Sequence, residues 1–293
     1  MPIKTYLTET LGLRVPVVMG GMQWPTPEEL KHAIEQARSL IDPEIAKERS
    51  KYGAFGVNIT LLPAVVPPDY EGYARAALEA GVRIFETAGN NPGPVIKILK
   101  DAGAFVIHKW ECAGHPGEDD IGGLVLLALA ADQVKAPFIA SGGVANGRGL
   151  AATLALGAVG ANMGTRFMAT KESEIDDKIK QVIVQSGERD TAHILRSLRN
   201  TTRVFKNKIT KEVLELEARH AEFKEIQPLV SGQRGRTVYT KGDPNAGVWT
   251  AGQTLGLIHD IPTCKELVAR IEREAEERIR STYAYVNGPS ARL

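Results

Sequence analysis

The chain has 293 residues, enough for one large domain or a large and a small one, and 43% of them are hydrophobic. Its 36 basic and 35 acidic residues are interspersed and leave a net charge of +1, which argues against a nucleic-acid surface or an acidic tail. No apolar run approaches the roughly 20 residues of a membrane-spanning helix, and the opening MPIKTYLTET lacks the apolar core of a signal peptide.

Cys112 and Cys264 lie far apart in the chain, and reduced thiols in an intracellular compartment are expected. The expectation is a cytoplasmic protein with neither nucleic acid nor membrane as partner.

In chain order, an apolar strand is predicted over 14–19, running into Gly20-Gly21-Met22-Gln23-Trp24. Residues 27–40 place Leu30, Ile34, Ala37 and Ile41 at helical spacing, with a proline and two glutamates at the start. A strand follows over 54–60, a helix over 71–80 closed by Gly81, and a strand over 82–87 that ends in AGNNPG. A helix over 94–101 and a strand over 104–109 complete this stretch. The loop 111–120, ECAGHPGEDD, is too polar and glycine-rich for a simple connector and reads as catalytic. An apolar helix over 124–134 leads to PFIAS at 137–141, a run of the kind buried on both faces of a parallel sheet.

That strand breaks at Gly142-Gly143. A helix starting near Gly147 carries Ala151, Ala152, Ala155 and Ala158 on a small face and ends at Gly157, and the next strand, 160–163, stops at Gly164-Thr165-Arg166. Two glycine turns at the carboxyl ends of adjacent parallel strands leave backbone N–H groups unobstructed, as a phosphate cradle requires, and Arg166 and the Thr165 hydroxyl are placed to assist. The alternation of strand and helix argues an α/β fold with parallel strands and the active loops at their carboxyl ends.

Past Thr170 the pattern turns to charged helices, broken around Arg203-Val204-Phe205, which reads as a small helical cap. The loop 242–253 is glycine-rich and either faces the same pocket or is a structural turn. Thr263 and Glu266 form a capping box for a last helix with Leu267, Ile271 and Ile279 on one face and Glu272, Glu276 and Arg280 on a solvated one. The tail ends in Ala291-Arg292-Leu293, which has the small-basic-leucine chemistry of a peroxisomal address if the source is eukaryotic.

Taken together, VVMGGM at 17–22, FGVN at 55–58, ECAGHPGEDD at 111–120, ASGGVANGRGLAATLALGA at 140–158, MGTRF at 163–167 and AGVWTAGQTLGLIHDIP at 246–262 resemble the nitronate monooxygenases, formerly called 2-nitropropane dioxygenases. The resemblance covers nearly the whole length and implies a flavoprotein with a TIM-type (β/α) barrel and a small second domain. It implies FMN, with its phosphate on Gly142, Gly143, Gly164 and Thr165 and with Ser141 also in the cofactor site. Gly21, Met22, Gln23, Asn58 and Lys109 would border the isoalloxazine ring or the ribityl chain.

His115 matches the family's catalytic histidine, which abstracts a proton α to a nitro group or holds the nitronate. Cys112 and His115 alone do not make a metal site. Glu111, Asp119 and Asp120 either orient the loop or cap the following helix, and capping is the favoured expectation.

The resemblance also exposes a departure, because six strands are readable where a closed barrel of this type has eight. One βα unit is short after Gln23-Trp24 and another after His108-Lys109-Trp110. The expected organisation is a barrel over 1–170, incomplete in its strands, a helical lid over 171–261 and a returning helix and tail over 262–293. The implied reaction is FMN-dependent oxidation of alkyl nitronates by O2 to a carbonyl compound and nitrite. The alternatives are NAD(P)H-dependent reduction of a quinone or enoyl thioester, and a non-catalytic variant.

Overall fold

A computed structural model describes residues 3–21, 27–41, 51–61, 68–89, 91–108 and 114–287. Six short parallel strands form β1 (Val17–Met19), β2 (Val57–Leu61), β3 (Ile84–Gly89), β4 (Phe105–His108), β5 (Ala140–Ser141) and β6 (Ala161–Met163). They pair as two three-stranded sheets, in the orders β1-β6-β5 and β2-β3-β4. Val17 stands opposite Ala161 across the first pair, as the last strand of a barrel stands opposite the first. Among the described residues no ladder joins β1 to β2 or β4 to β5. Those are the two joints at which the sequence is a βα unit short.

The sheets nevertheless share an interior. At its base Leu7 and Leu11 pack with Ile107 of β4 and Ile139 next to β5, ringed by Val18, Ile84 and Phe105. The two leucines belong to α1 (Tyr6–Leu11), a helix absent from the sequence expectation because six residues hold no full apolar period. A reciprocal pair caps it: the Thr8 amide donates to Thr5 Oγ1 at 3.3 Å and the Thr5 amide to Thr8 Oγ1 at 2.8 Å. Elsewhere in the interior the side chains are polar. Glu86 of β3, 6% exposed, accepts Asn58 Nδ2 of β2 at 2.6 Å through one oxygen and Asn162 Nδ2 of β6 at 2.6 Å through the other.

Outside the sheets, α2 (Pro27–Leu40) buries Leu30 and Ile34 against Ala74 and Ala77 of α3 (Tyr70–Glu79). Next come α4 (Gly93–Asp101) and α5 (Gly123–Gln133), whose Leu127 and Ala130 pack on Phe138 and Ala158. Leu150 and Ala151 of α6 (Gly147–Ala155) pack with Leu267, Ile271 and Ala275 of the last helix, 264–287, whereas Ala152 and Ala155 of the expected small face are exposed and Ala158 packs with α5. The last helix starts with the expected capping box, with the Glu266 amide on Thr263 Oγ1 at 3.2 Å and the Thr263 amide on Glu266 Oε2 at 2.8 Å.

Two expectations for that last helix change. Ile279 is 39% exposed, because a 24-residue helix, about 36 Å at 1.5 Å per residue, outruns its nine-residue partner. Glu272 is not simply solvated, since it pairs with Arg14 at 2.7 Å.

After β6 come α7 (Thr165–Met168) and α8 (Asp177–Gln185), then an antiparallel pair, β7 (Thr191–Ile194) and β8 (Thr202–Phe205), then three more helices, 208–218, 223–230 and 232–241. The pair adds strands to what reads as a helical region. Each strand is four residues long and its outer positions are charged or polar, so the period-2 signal is weak. Among the described residues no helix is long and apolar enough to cross a membrane.

Candidate active site

β5 ends at Ser141, and Gly142 and Gly143 follow at φ +95° and +72°, in the left-handed region that side chains rarely adopt. Asn146 then caps α6 by accepting the Gly149 amide at 2.9 Å. β6 ends at Met163, and Gly164 precedes α7. A Cβ added to Gly143 or to Gly164 would meet nothing within 4 Å, so both turns face open space. Exposed amides around such a space suit the phosphate of a cofactor.

Thr165 Oγ1 accepts the Gly252 amide at 3.0 Å, which leaves the hydroxyl proton to donate elsewhere. The two terminal nitrogens of Arg166 are committed elsewhere, while its Nε is buried without a hydrogen-bond partner. The residue is 3% exposed, and its guanidinium donates to Asp260 Oδ1 at 3.2 Å, the Asp260 carbonyl at 2.7 Å and the Ala169 carbonyl at 2.8 Å. A buried arginine is held where carboxylate and carbonyl oxygens compensate its lost water.

Gly21, past the end of β1, lies against Asn58 of β2. A Cβ built on it would come 2.6 Å from Asn58 Cβ, so the strand ends meet there without a ladder. The Asn58 amide is fixed at both ends, its Nδ2 by Glu86 and its Oδ1 by the Thr60 hydroxyl at 2.5 Å. On the other sheet the Ser141 hydroxyl donates to Asn162 Oδ1 at 3.4 Å. Asn58 and Ser141 are thus joined by Glu86 and Asn162, two residues that the sequence reading missed. Their signal was polarity inside otherwise apolar strand runs, RIFETAG and GANMG. Met22, Gln23 and Lys109 lie outside the described residues, as do Glu111 and Cys112.

The histidine loop is anchored at both ends of its described part. Gly114, at φ +95°, sits against the Thr250 methyl, and its carbonyl accepts the Arg203 amide of β8 at 2.8 Å. Burial holds His115 below the usual histidine range, which favours the neutral imidazole. Further along, Glu118 accepts the Thr201 amide at 2.9 Å and the Thr201 hydroxyl.

Asp120, at φ +52°, pairs with Arg196 at 2.6 Å. The expected cap is therefore corrected: Gly122 precedes α5 with no side-chain cap, and Asp120 binds an arginine instead. The 242–253 loop meets both halves of the site, through Thr250 at Gly114 and through Gly252 at Thr165. Asn207 secures that loop by donating to the carbonyls of Pro244 and Gly247 at 2.6 and 2.8 Å.

The profile of the nitronate monooxygenase family matches residues 73–274. The chain is 29% identical to a Mycobacterium tuberculosis protein named (3aS,4S,5R,7aS)-5-hydroxy-7a-methyl-1-oxo-octahydro-1H-indene-4-carboxyl-CoA dehydrogenase, over 98% of this chain and 100% of that one. That alignment runs over 362 positions against 293 residues, so the relative carries sequence that this chain lacks. A nitronate monooxygenase of Paraburkholderia phytofirmans is 29% identical over 71% of this chain and 59% of its own. Among solved structures, FabK from Thermotoga maritima superposes with a TM-score of 0.85 and 27% identity over 97% of this chain and 99% of that one. A nitroalkane oxidase from Streptomyces ansochromogenes shares the fold at a TM-score of 0.74 and 20% identity, over 94% and 99% of the two chains.

Proposed function

This chain belongs to the nitronate monooxygenase family and is a flavin-dependent oxidoreductase, and from that premise we propose that it binds FMN and oxidises alkyl nitronates with O2 to a carbonyl compound and nitrite. The observation that supports this reading best is the convergence of the two half-sites, since one loop touches both Gly114 beside His115 and Thr165 beside the open glycine turns.

In this reading the amides of Gly142, Gly143 and Gly164, with Ser141 and the Thr165 hydroxyl, hold the phosphate. Gly21 and Asn58 border the ring or ribityl chain, and Met22, Gln23 and Lys109 are assigned there from their motifs. FMN, when bound, supplies the electron acceptor for the oxidation. His115, kept neutral by burial, takes the proton from the carbon α to the nitro group and holds the anion that results. Glu118 and Asp120 act on the loop and not on substrate, through Thr201 and Arg196.

A second reading is favoured by the end-to-end likeness to a protein named as an indene-carboxyl-CoA dehydrogenase and by the superposition on FabK. A proton α to a thioester carbonyl suits the same base, so the site would then serve an NAD(P)H-dependent reaction of an acyl or enoyl thioester. Anaerobic mixing separates the two. A nitronate that bleaches the bound flavin, with NADH and NADPH inert, supports the first; bleaching by a nicotinamide and recolouring by an enoyl thioester supports the second. A purified protein that takes up no FMN overturns both and leaves the shortened chain non-catalytic.

A further inference from the structure

Helix α5 is apolar on the side away from the sheets as well as on the side that packs against them. Its sequence, GLVLLALAADQ, holds no charge before Asp132, and a helix that is apolar all round belongs inside a core. Only one side of it is inside. Leu127 and Ala130 pack on Phe138 and Ala158, and a Cβ built on Gly157 would come 2.8 Å from that of Ala131. The opposite side carries Leu124, Val125 and Leu129, with Ile121 just ahead of the helix, and these are 75%, 57%, 41% and 41% exposed. Their three- and four-residue intervals set them on one outward stripe.

The two ends of the stripe say what meets it. At the amino end α5 starts at Gly122 with no side-chain cap, so its first amides have no side-chain acceptor, and a Cβ on Gly122 would meet nothing within 4 Å. Asp119 lies just ahead and is exposed; Asp120 is taken by Arg196. At the carboxyl end stand Asp132 and Lys135, both exposed. Among the described residues none of Asp119, Asp132 and Lys135 has an ion pair.

An antiparallel copy of the same helix satisfies both ends. With a two-fold axis level with Leu127, Val125 of one copy lies level with Leu129 of the other, Asp132 with the uncapped Gly122 end, and Lys135 with Asp119. A carboxylate then sits at a helix amino end, where the macrodipole favours it, a lysine sits opposite a carboxylate, and the symmetry repeats both pairings.

We propose that the outward face of α5 is a docking surface for a second copy of this chain, packed antiparallel on its own counterpart. The pairing is independent of the reaction catalysed. Two eleven-residue helices, each about 16 Å long, make a contact at the small end of specific interfaces, under about 1,200 Å², so the dimer dissociates on dilution.

Sedimentation velocity of the full chain with FMN, from about 1 to 100 µM, is expected to show a monomer–dimer equilibrium. Leu124→Glu and Val125→Glu place a carboxylate in the first turn, which a helix tolerates, so both are expected to stay monomeric with the parent's circular dichroism. Tyr283→Glu, at a 68% exposed position on the last helix, stays dimeric. Asp119→Lys alone and Lys135→Glu alone each set like charges level at both ends and weaken the dimer about three- to tenfold, and the double reversal restores it. That rescue is specific to a second copy, because a different partner would lose affinity with both changes.

A parent that is monomeric at about 100 µM overturns the dimer; if it floats with phosphatidylcholine–phosphatidylglycerol vesicles and Val125→Glu does not, the stripe is a lipid contact instead. A dimer indifferent to Leu124→Glu and Val125→Glu forms elsewhere and overturns the docking face. Single reversals that dissociate the dimer without rescue by the pair overturn the antiparallel register.

Discussion

Gly164 has φ −103°, which any residue can adopt, so a side chain there tests space and not strain. Gly164→Val is expected to weaken FMN by about a hundredfold or more while the apoprotein keeps its melting temperature, because the added carbons would enter the open region proposed for the phosphate. FMN retained at the parent's level would remove the phosphate assignment. Gly143→Val should lose FMN as well, but at φ +72° it also destabilises the apoprotein, by about 1–3 kcal/mol.

At His115, replacement by Asn is expected to slow turnover of a neutral nitroalkane by about 10²–10⁴ while sparing a preformed nitronate, since only the former needs a base. Equal losses would make His115 an anion holder. Because burial lowers its pKa, the acid limb of kcat/KM for the nitroalkane should lie below the ordinary histidine value of about 6.5 and be absent in His115→Asn. The sign for stability follows. His115, lowered by burial, and His193, lowered by burial and then by Arg203 and Arg196, resist protonation in the fold. Their contribution is complete above about pH 6.5 and is lost as pH falls toward the folded values, which melting temperature against pH would show.

At the scale of elements, the docking of the last helix on α6 depends on one missing side chain. A Cβ at Gly147 would strike the Ile271 carbonyl and the Ala275 amide, both backbone, and Glu274 accepts the Gly147 amide at 2.9 Å. Gly147→Ala is therefore expected to destabilise by about 1–3 kcal/mol in urea denaturation. Gly123→Ala, whose Cβ meets open space at the start of α5, should be neutral or mildly stabilising. If both variants unfold at the parent's midpoint, the close approach of the two helices does not matter to stability. The histidine loop is an element held the opposite way, by polar ties. Gly114 to Arg203, Glu118 to Thr201 and Asp120 to Arg196 all fasten it to β8 or to the turn before it, so the β7–β8 pair positions the candidate base.

For the whole molecule, the short strand count leaves two joints without ladders among the described residues, and interior side chains connect the sheets instead. Leu7 and Leu11 fill the base, and Glu86 spans the sheets from Asn58 to Asn162. Glu86→Gln puts an N–H₂ where one asparagine amide needs an acceptor. The expected cost is about 1–3 kcal/mol, seen as a lower urea midpoint, together with weaker FMN binding through a misoriented Asn58. A midpoint within error of the parent's would mean that the carboxylate does not hold the halves together. The helix ring is also thin: Leu124 and Val125 of the apolar helix α5 are 75% and 57% exposed, as expected where a neighbouring helix is lacking.

Much of this was legible in the chain because its signals are local. Apolar runs, four of them closed by glycine, placed all six parallel strands, helical spacing placed α2 and the last helix, and counting strands located both short joints. The glycine turns and the histidine loop were readable for the same reason, since left-handed glycines and a polar insertion are visible without a partner. Partnerships were not. Arg166 sits in the motif proposed for the phosphate, yet its guanidinium is held by Asp260, 94 positions away, and Asp120 precedes a helix but serves Arg196. Asn162 and Glu86 are separated by 76 positions and meet only because two sheets enclose one interior. A buried charge takes whichever compensating atoms the packing brings near it, so local pattern wrote the elements and tertiary structure chose the partners of their polar side chains.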